Sequence, residues 1–112
     1  MISIVIPTYN NLDYLKLCLN SINKNSKYSH EIKLHINDGS EGTLEFAKKN
    51  NIFFTHSKTN IGLCSAINTV CSTVNNKYIL YAHDDMYFCP NWDVSLLNEI
   101  KEIKHDKFFL SG

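Results

Sequence analysis

Lys77-Tyr78-Ile79-Leu80-Tyr81-Ala82-His83-Asp84-Asp85-Met86 decides how the rest of the chain is read. From Tyr78 to Ala82 the residues are aromatic, β-branched or aliphatic, without Gly or Pro. That is the composition of a short central strand covered on both faces. Two carboxylates follow at once. Open α/β sheets bind their ligands just past the carboxyl ends of the strands. Paired hard oxygen donors at that place suit Mg2+ or Mn2+ held jointly with a substrate's phosphates. The plainer alternative is that Asp84 and Asp85 only open a turn, a common use of Asp.

Moving outward toward the N-terminus, a helix is expected from about Gly62. Leu63, Ala66, Ile67, Val70 and Val74 give it an apolar stripe of helical period. Before it, Ile52 to Thr55 reads as a strand and His56 to Asn60 as a polar loop. A short helix is expected over Thr43 to Lys49. Ile32, Leu34 and Ile36 alternate as a strand that runs into Asn37-Asp38-Gly39-Ser40, with His35 turned to solvent or to a neighbouring helix. Leu12, Leu15, Leu19 and Ile22 share one helical face, with Asp13 in the first turn, where the helix dipole favours an acid. Polar residues from Asn23 to Ser29 end that helix. The first strand is Ile2 to Ile6, stopped by Pro7, which has no N–H for the ladder.

Toward the C-terminus, Pro90 is placed to start a last helix with Trp92, Leu96, Leu97, Ile100 and Ile103 on its buried side. Phe108 to Leu110 reads as one more strand. Asp93, Glu99 and Glu102 read as a solvated helix face. Repeated strand–helix alternation predicts an α/β fold with a mostly parallel sheet, helices on both faces and right-handed crossovers. Neither G-x-G-x-x-G nor the P-loop pattern occurs, which removes two nucleotide-binding classes.

Bulk properties narrow the functions. The 112 residues suffice for a single domain, 1–112, with a modest core. Hydrophobic residues at 44% and charged residues at 20% are those of a globular protein rather than a disordered one. The 11 basic residues, all Lys, balance 11 acidic ones. That balance argues against a nucleic-acid surface and against a basic membrane helix. Cys18, Cys64, Cys71 and Cys89 form no C-x-x-C pair, so free thiols in a reducing compartment are expected. Cys64 and Cys71 would lie about 10 Å apart along one helix, too far for a disulfide. No apolar run approaches a membrane span, and Ile2 to Ile6 is too short for a signal peptide, so a cytoplasmic location is expected.

In a parallel sheet the loops after the strands gather at one end. Tyr9 could stack there on a nucleobase. Asp38 could accept a hydrogen bond from a base N–H, with Gly39 allowing close backbone approach. Lys58 could stand near a phosphate as a point charge. Asp84 and Asp85 could take ribose hydroxyls and a divalent ion.

Ile2-Ser3-Ile4-Val5-Ile6-Pro7-Thr8-Tyr9-Asn10, Asn37-Asp38-Gly39-Ser40, Asn60-x-Gly62-x-x-x-Ala66-x-Asn68 and Tyr81-Ala82-His83-Asp84-Asp85 occur in that order. Together they resemble the start of family 2 glycosyltransferases, inverting, metal-dependent enzymes of the Rossmann-like GT-A fold. The resemblance implies the donor-binding half of such an enzyme, taking a nucleotide-sugar, most simply a UDP-sugar. It places Pro7, Thr8, Tyr9, Asp38, Lys58 and Asp84 against the nucleotide, and Asp85 on Mn2+ or Mg2+. The metal would neutralise the diphosphate leaving group.

The chain departs from the family pattern in three respects. Asn37 and Ala82 stand where many members carry acids, and there is no Arg for the diphosphate. Members are also longer, and their further part carries the acceptor site and the general base. No catalytic residue is therefore assigned, and the acceptor (saccharide, lipid or protein) is open. Such a half would expose apolar surface and is expected to self-associate. The alternatives are a non-catalytic module that binds a nucleotide or a partner without turnover, and a nucleotidyltransferase. The latter normally shows a Gly-rich basic loop after the first strand, which Pro7-Thr8-Tyr9-Asn10 is not.

Overall fold

A computed structural model describes residues 2–103. Four strands and four helices alternate: β1 (Ile2–Tyr9), α1 (Leu12–Asn25), β2 (Glu31–Asn37), α2 (Thr43–Lys49), β3 (Phe53–Ser57), α3 (Leu63–Cys71), β4 (Tyr78–Tyr81) and α4 (Trp92–Glu102). The sheet order is β3-β2-β1-β4, with every neighbouring pair parallel. The strand expected at Phe108 to Leu110 lies outside the described residues.

Alternation along β1 and β2 divides the molecule into two unlike layers. On one face Ile2, Ile4, Ile6, Leu34 and Ile36 meet Leu15, Cys18, Leu19 and Ile22 of α1 and Ala47 of α2, all buried. Trp92, Leu96 and Leu97 of α4 pack against the same cluster. The spacing of the α1 residues is the helical stripe read from the sequence, and burying it is what holds α1 on the sheet. Truncating Leu15, which is wholly buried, costs about 2–5 kcal/mol on general grounds.

The other face carries Ser3, Val5, Lys33, His35 and Asn37, all buried. It is covered by α3, which packs on β1, β2 and β3. Polar groups on this face are paired, as burial requires. The Lys33 ammonium donates to the Thr73 carbonyl and lies 4.4 Å from the Phe53 ring centroid. His35 is fully buried beside α3 rather than turned to solvent, its ring nitrogens 2.7 Å from Thr55 Oγ1 and 3.2 Å from Ser57 Oγ.

Several boundaries differ from the sequence reading, each for a local reason. Pro7 does not end β1, which pairs with β2 as far as Tyr9. Val5 O accepts Ala82 N at 3.0 Å, so Pro7, two residues on, turns its donor-less nitrogen to the β4 side. Pairing with β4 stops at Val5, so no ladder bond is lost. β3 starts one residue later and continues through His56 and Ser57, which pair with Ile36 and Asn37. α3 ends at Cys71, leaving Val74 outside it, and Leu63 is exposed; Ala66 and Val70 are its buried positions.

Among the described residues β4 is the sheet edge rather than a central strand, and Ile79 is 49% exposed. Ile79 pairs with Ser3 and so points to the α3 face, and α3 lies over the other three strands. Asp93 is not on a solvated face either. It is wholly buried and accepts Lys27 N at 3.1 Å, Tyr28 N at 2.9 Å and His30 Nε2 at 2.9 Å. Burial pushes its carboxyl up, but the Tyr28 and Lys27 amides and His30 outweigh that and bring it down to about 2.

Candidate functional site

The loops after β1, β2, β3 and β4 gather at the carboxyl end of the sheet, as a parallel topology requires. A cleft of about 360 Å3 opens between them, lined by Pro7, Thr8, Tyr9, Asn10, Asn11, Asn37, Asn60, Gly62, Leu63, His83 and Asp84. Four of the residues expected to meet a nucleotide are therefore on its wall: Pro7, Thr8, Tyr9 and Asp84. Tyr9 is 51% exposed, and an exposed aromatic ring can stack on a flat ligand.

Asp84 is held by the first loop. Thr8 Oγ1 donates to its Oδ2 at 2.8 Å and Asn11 Nδ2 to its Oδ1 at 3.3 Å. Thr8 sits two residues beyond the end of the buried Ile2–Ile6 run and is itself 2% exposed, so the donor is as fixed as the core. Asp85 is exposed, and among the described residues no hydrogen bond or ion pair occupies its carboxylate. The segment is tied from behind: the Cys18 thiol donates to the His83 carbonyl at 3.7 Å. Burial first, then Asp84 and Asp85, push that thiol up to about 11.

Asp38 is not among the cleft-lining residues but is tied to one of them, Asn10. Asn10 Nδ2 donates to its Oδ2 at 3.1 Å and Ser40 N to its Oδ1 at 3.3 Å. The Asn10 amide, then Ser40, hold the Asp38 carboxyl below its ordinary value of 3.8. Asn10 and Asp38 both have left-handed backbone, φ 46° and 61°, which Asn and Asp tolerate better than most residues. Packing also requires Gly39: a Cβ there would stand 2.6 Å from Ile36 Cγ2 and 3.1 Å from Leu44 Cβ.

Beneath the third loop runs a relay that single-residue reading missed. Ser57 Oγ donates to Asn37 Oδ1 at 2.9 Å, and Ile61 N donates to the same oxygen at 3.1 Å. His35 supports Ser57 from below, its imidazole held under its ordinary value by burial, with nearby His56 adding to the effect. Asn37 thereby fixes the loop that brings Asn60 and Gly62 to the cleft. Lys58 is on this loop, exposed, and is not among the cleft-lining residues.

The donor set fits a small divalent cation. Mg2+ and Mn2+ take one or two protein carboxylates and complete their shells from phosphates and water. Asp85 offers a free carboxylate beside Asp84. Among the described residues no group of three or more His, Cys, Asp or Glu surrounds one point, so this is no all-protein cage. No helix of the described residues is long and apolar enough to cross a membrane.

The family model for glycosyl transferase family 2 matches residues 3–111. Glycosyltransferase GlyA of Streptococcus pneumoniae serotype 4 is 28% identical over 110 residues, covering 94% of this chain and 16% of GlyA. The chain thus spans about a sixth of that relative's length. Among solved structures, S. aureus TarS 1-349 in complex with UDP matches with a TM-score of 0.79 at 22% identity, over 90% of this chain and 32% of that one. The same fragment is also known in complex with UDP-GlcNAc. The mannosyltransferase PcManGT from Pyrobaculum calidifontis, in complex with GDP-Man and Mn2+, matches with a TM-score of 0.72 at 18% identity, over 93% of this chain and 32% of that one. At such identities these structures speak to the fold, which is that of GT-A glycosyltransferases.

Proposed function

Because the chain belongs to glycosyl transferase family 2, we propose that its cleft is the donor site of a sugar-transferring enzyme, taking a nucleoside-diphosphate sugar, with UDP as the nucleotide. The observation that carries this reading is the Thr8–Asp84 hydrogen bond of 2.8 Å. It joins the loop bearing the exposed Tyr9 ring to the loop bearing two adjacent carboxylates, at the ligand end of a parallel sheet. TarS with UDP and with UDP-GlcNAc supports the choice of nucleotide.

In this reading Tyr9 stacks on the base, and Asp38, kept ionised by Asn10 and Ser40, accepts the base N–H. Thr8 and Asn11 orient Asp84 toward the ribose. Lys58 adds positive charge at the rim. Asp85, with Asp84 beside it, would hold Mg2+ or Mn2+. That ion, when bound, supplies Lewis-acid neutralisation of the diphosphate charge, and the PcManGT complex with Mn2+ supports the choice. Transfer with inversion is the course the family implies, and the acceptor and its base belong to the whole protein.

A non-catalytic nucleotide-binding module is the second reading. It is favoured by one observation: Asp84 is the sole acid lining the cleft among the described residues. Beyond Met86, Asp93 is consumed by four donors and Glu99 and Glu102 are exposed on α4 among the described residues.

The test is calorimetric titration of UDP with and without Mn2+, on the natural chain and on Asp85→Asn. Binding that needs Mn2+ and is lost in Asp85→Asn is the expected result. Equal UDP affinity with and without metal in both proteins would overturn the assignment of Asp85. Release of sugar from a UDP-sugar by the whole protein separates the enzyme from the module.

A further inference from the structure

A diphosphate leaving group needs N–H donors, and the cleft wall has few to give. The chain has no Arg, and among the described residues no Lys lines the cleft. Of the side-chain amides on the wall, Asn10 donates to Asp38, Asn11 to Asp84, and Asn37 is 4% exposed beneath the Ser57 loop. Asn60, whose oxygen accepts Gly62 N, and His83 keep exposed N–H groups on the wall, and of the two His83 stands immediately before the Asp84-Asp85 pair.

Its surroundings fix it in place. Met86 N donates to the His83 carbonyl at 3.2 Å, closing a turn over the two acids. The same carbonyl accepts the Cys18 thiol, and the His83 N–H points at Met86 Sδ, 3.3 Å away. The ring is held by Tyr81, whose hydroxyl lies 3.2 Å from Nδ1 and 3.4 Å from Nε2, with ring centroids 5.0 Å apart. A neutral imidazole has one N–H and one bare nitrogen. A hydroxyl almost equidistant from both nitrogens lies on neither ring-nitrogen axis, so Tyr81 packs against the ring and leaves its N–H to a ligand.

We infer that His83 is a substrate-contacting residue of this site, donating a ring N–H to the outer phosphate of the nucleoside diphosphate, with Tyr81 as its positioning residue. The inference rests on the donor-site reading above and adds to it the group that receives the leaving charge on the protein side.

The experiment measures UDP and UMP affinities at one fixed, saturating Mg2+ concentration for the natural chain, His83→Ala, His83→Gln and Tyr81→Phe. Hydrogen bonds to charged groups predict that His83→Ala weakens UDP by about tenfold or more, with UMP affected much less. The UDP-to-UMP affinity ratio therefore falls. His83→Gln, which keeps an N–H, recovers part of the ratio, and Tyr81→Phe gives an intermediate loss. An unchanged UDP affinity in His83→Ala, or equal losses for UDP and UMP, would overturn the inference while leaving the donor site standing. Failure of the natural chain to bind either nucleotide would instead overturn the donor-site reading itself.

Discussion

Replacing Asp93 tests whether this acid is a structural tie, as its geometry says, or part of the chemistry. Its carboxylate accepts two backbone amides of the α1–β2 connection and the His30 ring, all within 3.1 Å and without solvent contact. His30 Nδ1 in turn lies 3.2 Å from Ile2 N, so one side chain of α4 pins the amino ends of β1 and β2. Leaving a buried donor unpaired costs about 1–3 kcal/mol, and Asp93→Ala would strand the Lys27 and Tyr28 amides and the His30 ring together. A domain of this size has about 5–15 kcal/mol in all. Asp93→Ala should therefore unfold at far lower urea than the natural chain. Asp93→Asn, which keeps one acceptor oxygen, should fall between them.

The pH dependence has a definite sign. A carboxyl lowered from 3.8 to about 2 on folding contributes its full stability above about pH 4, and loses it as pH falls toward 2. The gap in urea midpoint between natural chain and Asp93→Asn should be constant from pH 5 to 7 and narrow below pH 4. Because the tie lies at the end of the sheet away from the cleft, UDP affinity of folded Asp93→Asn should equal that of the natural chain. A variant as stable as the natural chain but deficient in UDP binding would refute the structural assignment.

Thr8→Val removes the 2.8 Å bond to Asp84 while keeping the buried shape, and UDP binding should weaken by about tenfold, the scale of a lost hydrogen bond to a charged group. Lys58→Ala, at an exposed position off the cleft wall, should weaken UDP binding by at most about 1 kcal/mol, an effect erased by 0.5 M salt in the titration, on the general scale of exposed charge effects. A thiol reagent near pH 8 should modify the exposed Cys64 and Cys89 quickly. Cys18, buried and raised to about 11, should react only on unfolding, and rapid modification of a third and fourth thiol in the folded chain would contradict its packing.

The apolar core was legible because period and burial coincide there: Leu15, Leu19 and Ile22 alternate with exposed residues at helical spacing, and Leu34 and Ile36 at strand spacing. The four cleft loops were legible for a topological reason, since parallel strands leave their loops at one end. What escaped was set by neighbours distant in sequence. The strand composition of Tyr78 to Tyr81 predicts cover on both faces, yet Ile79 is exposed because α3 spans only the other three strands. Asp93 looks solvated beside Glu99 and Glu102 until the α1–β2 connection supplies its donors from more than sixty residues away. The role of Asn37 depends likewise on Ser57 and Ile61, which no local pattern ties to it.

Those distant ties also make sense of where this chain departs from its family. Asn37 and Ala82 are neutral where relatives often carry acids. At position 37 the amide oxygen still accepts both Ser57 Oγ and Ile61 N, so the loop is fixed without a charge. Ala82 is fully buried beside β1, its N–H donating to Val5, where a carboxylate would lose its hydration. Among the described residues Asp84 is then the sole acid on the wall. A wall with fewer anions repels a diphosphate less and needs fewer cations to receive it.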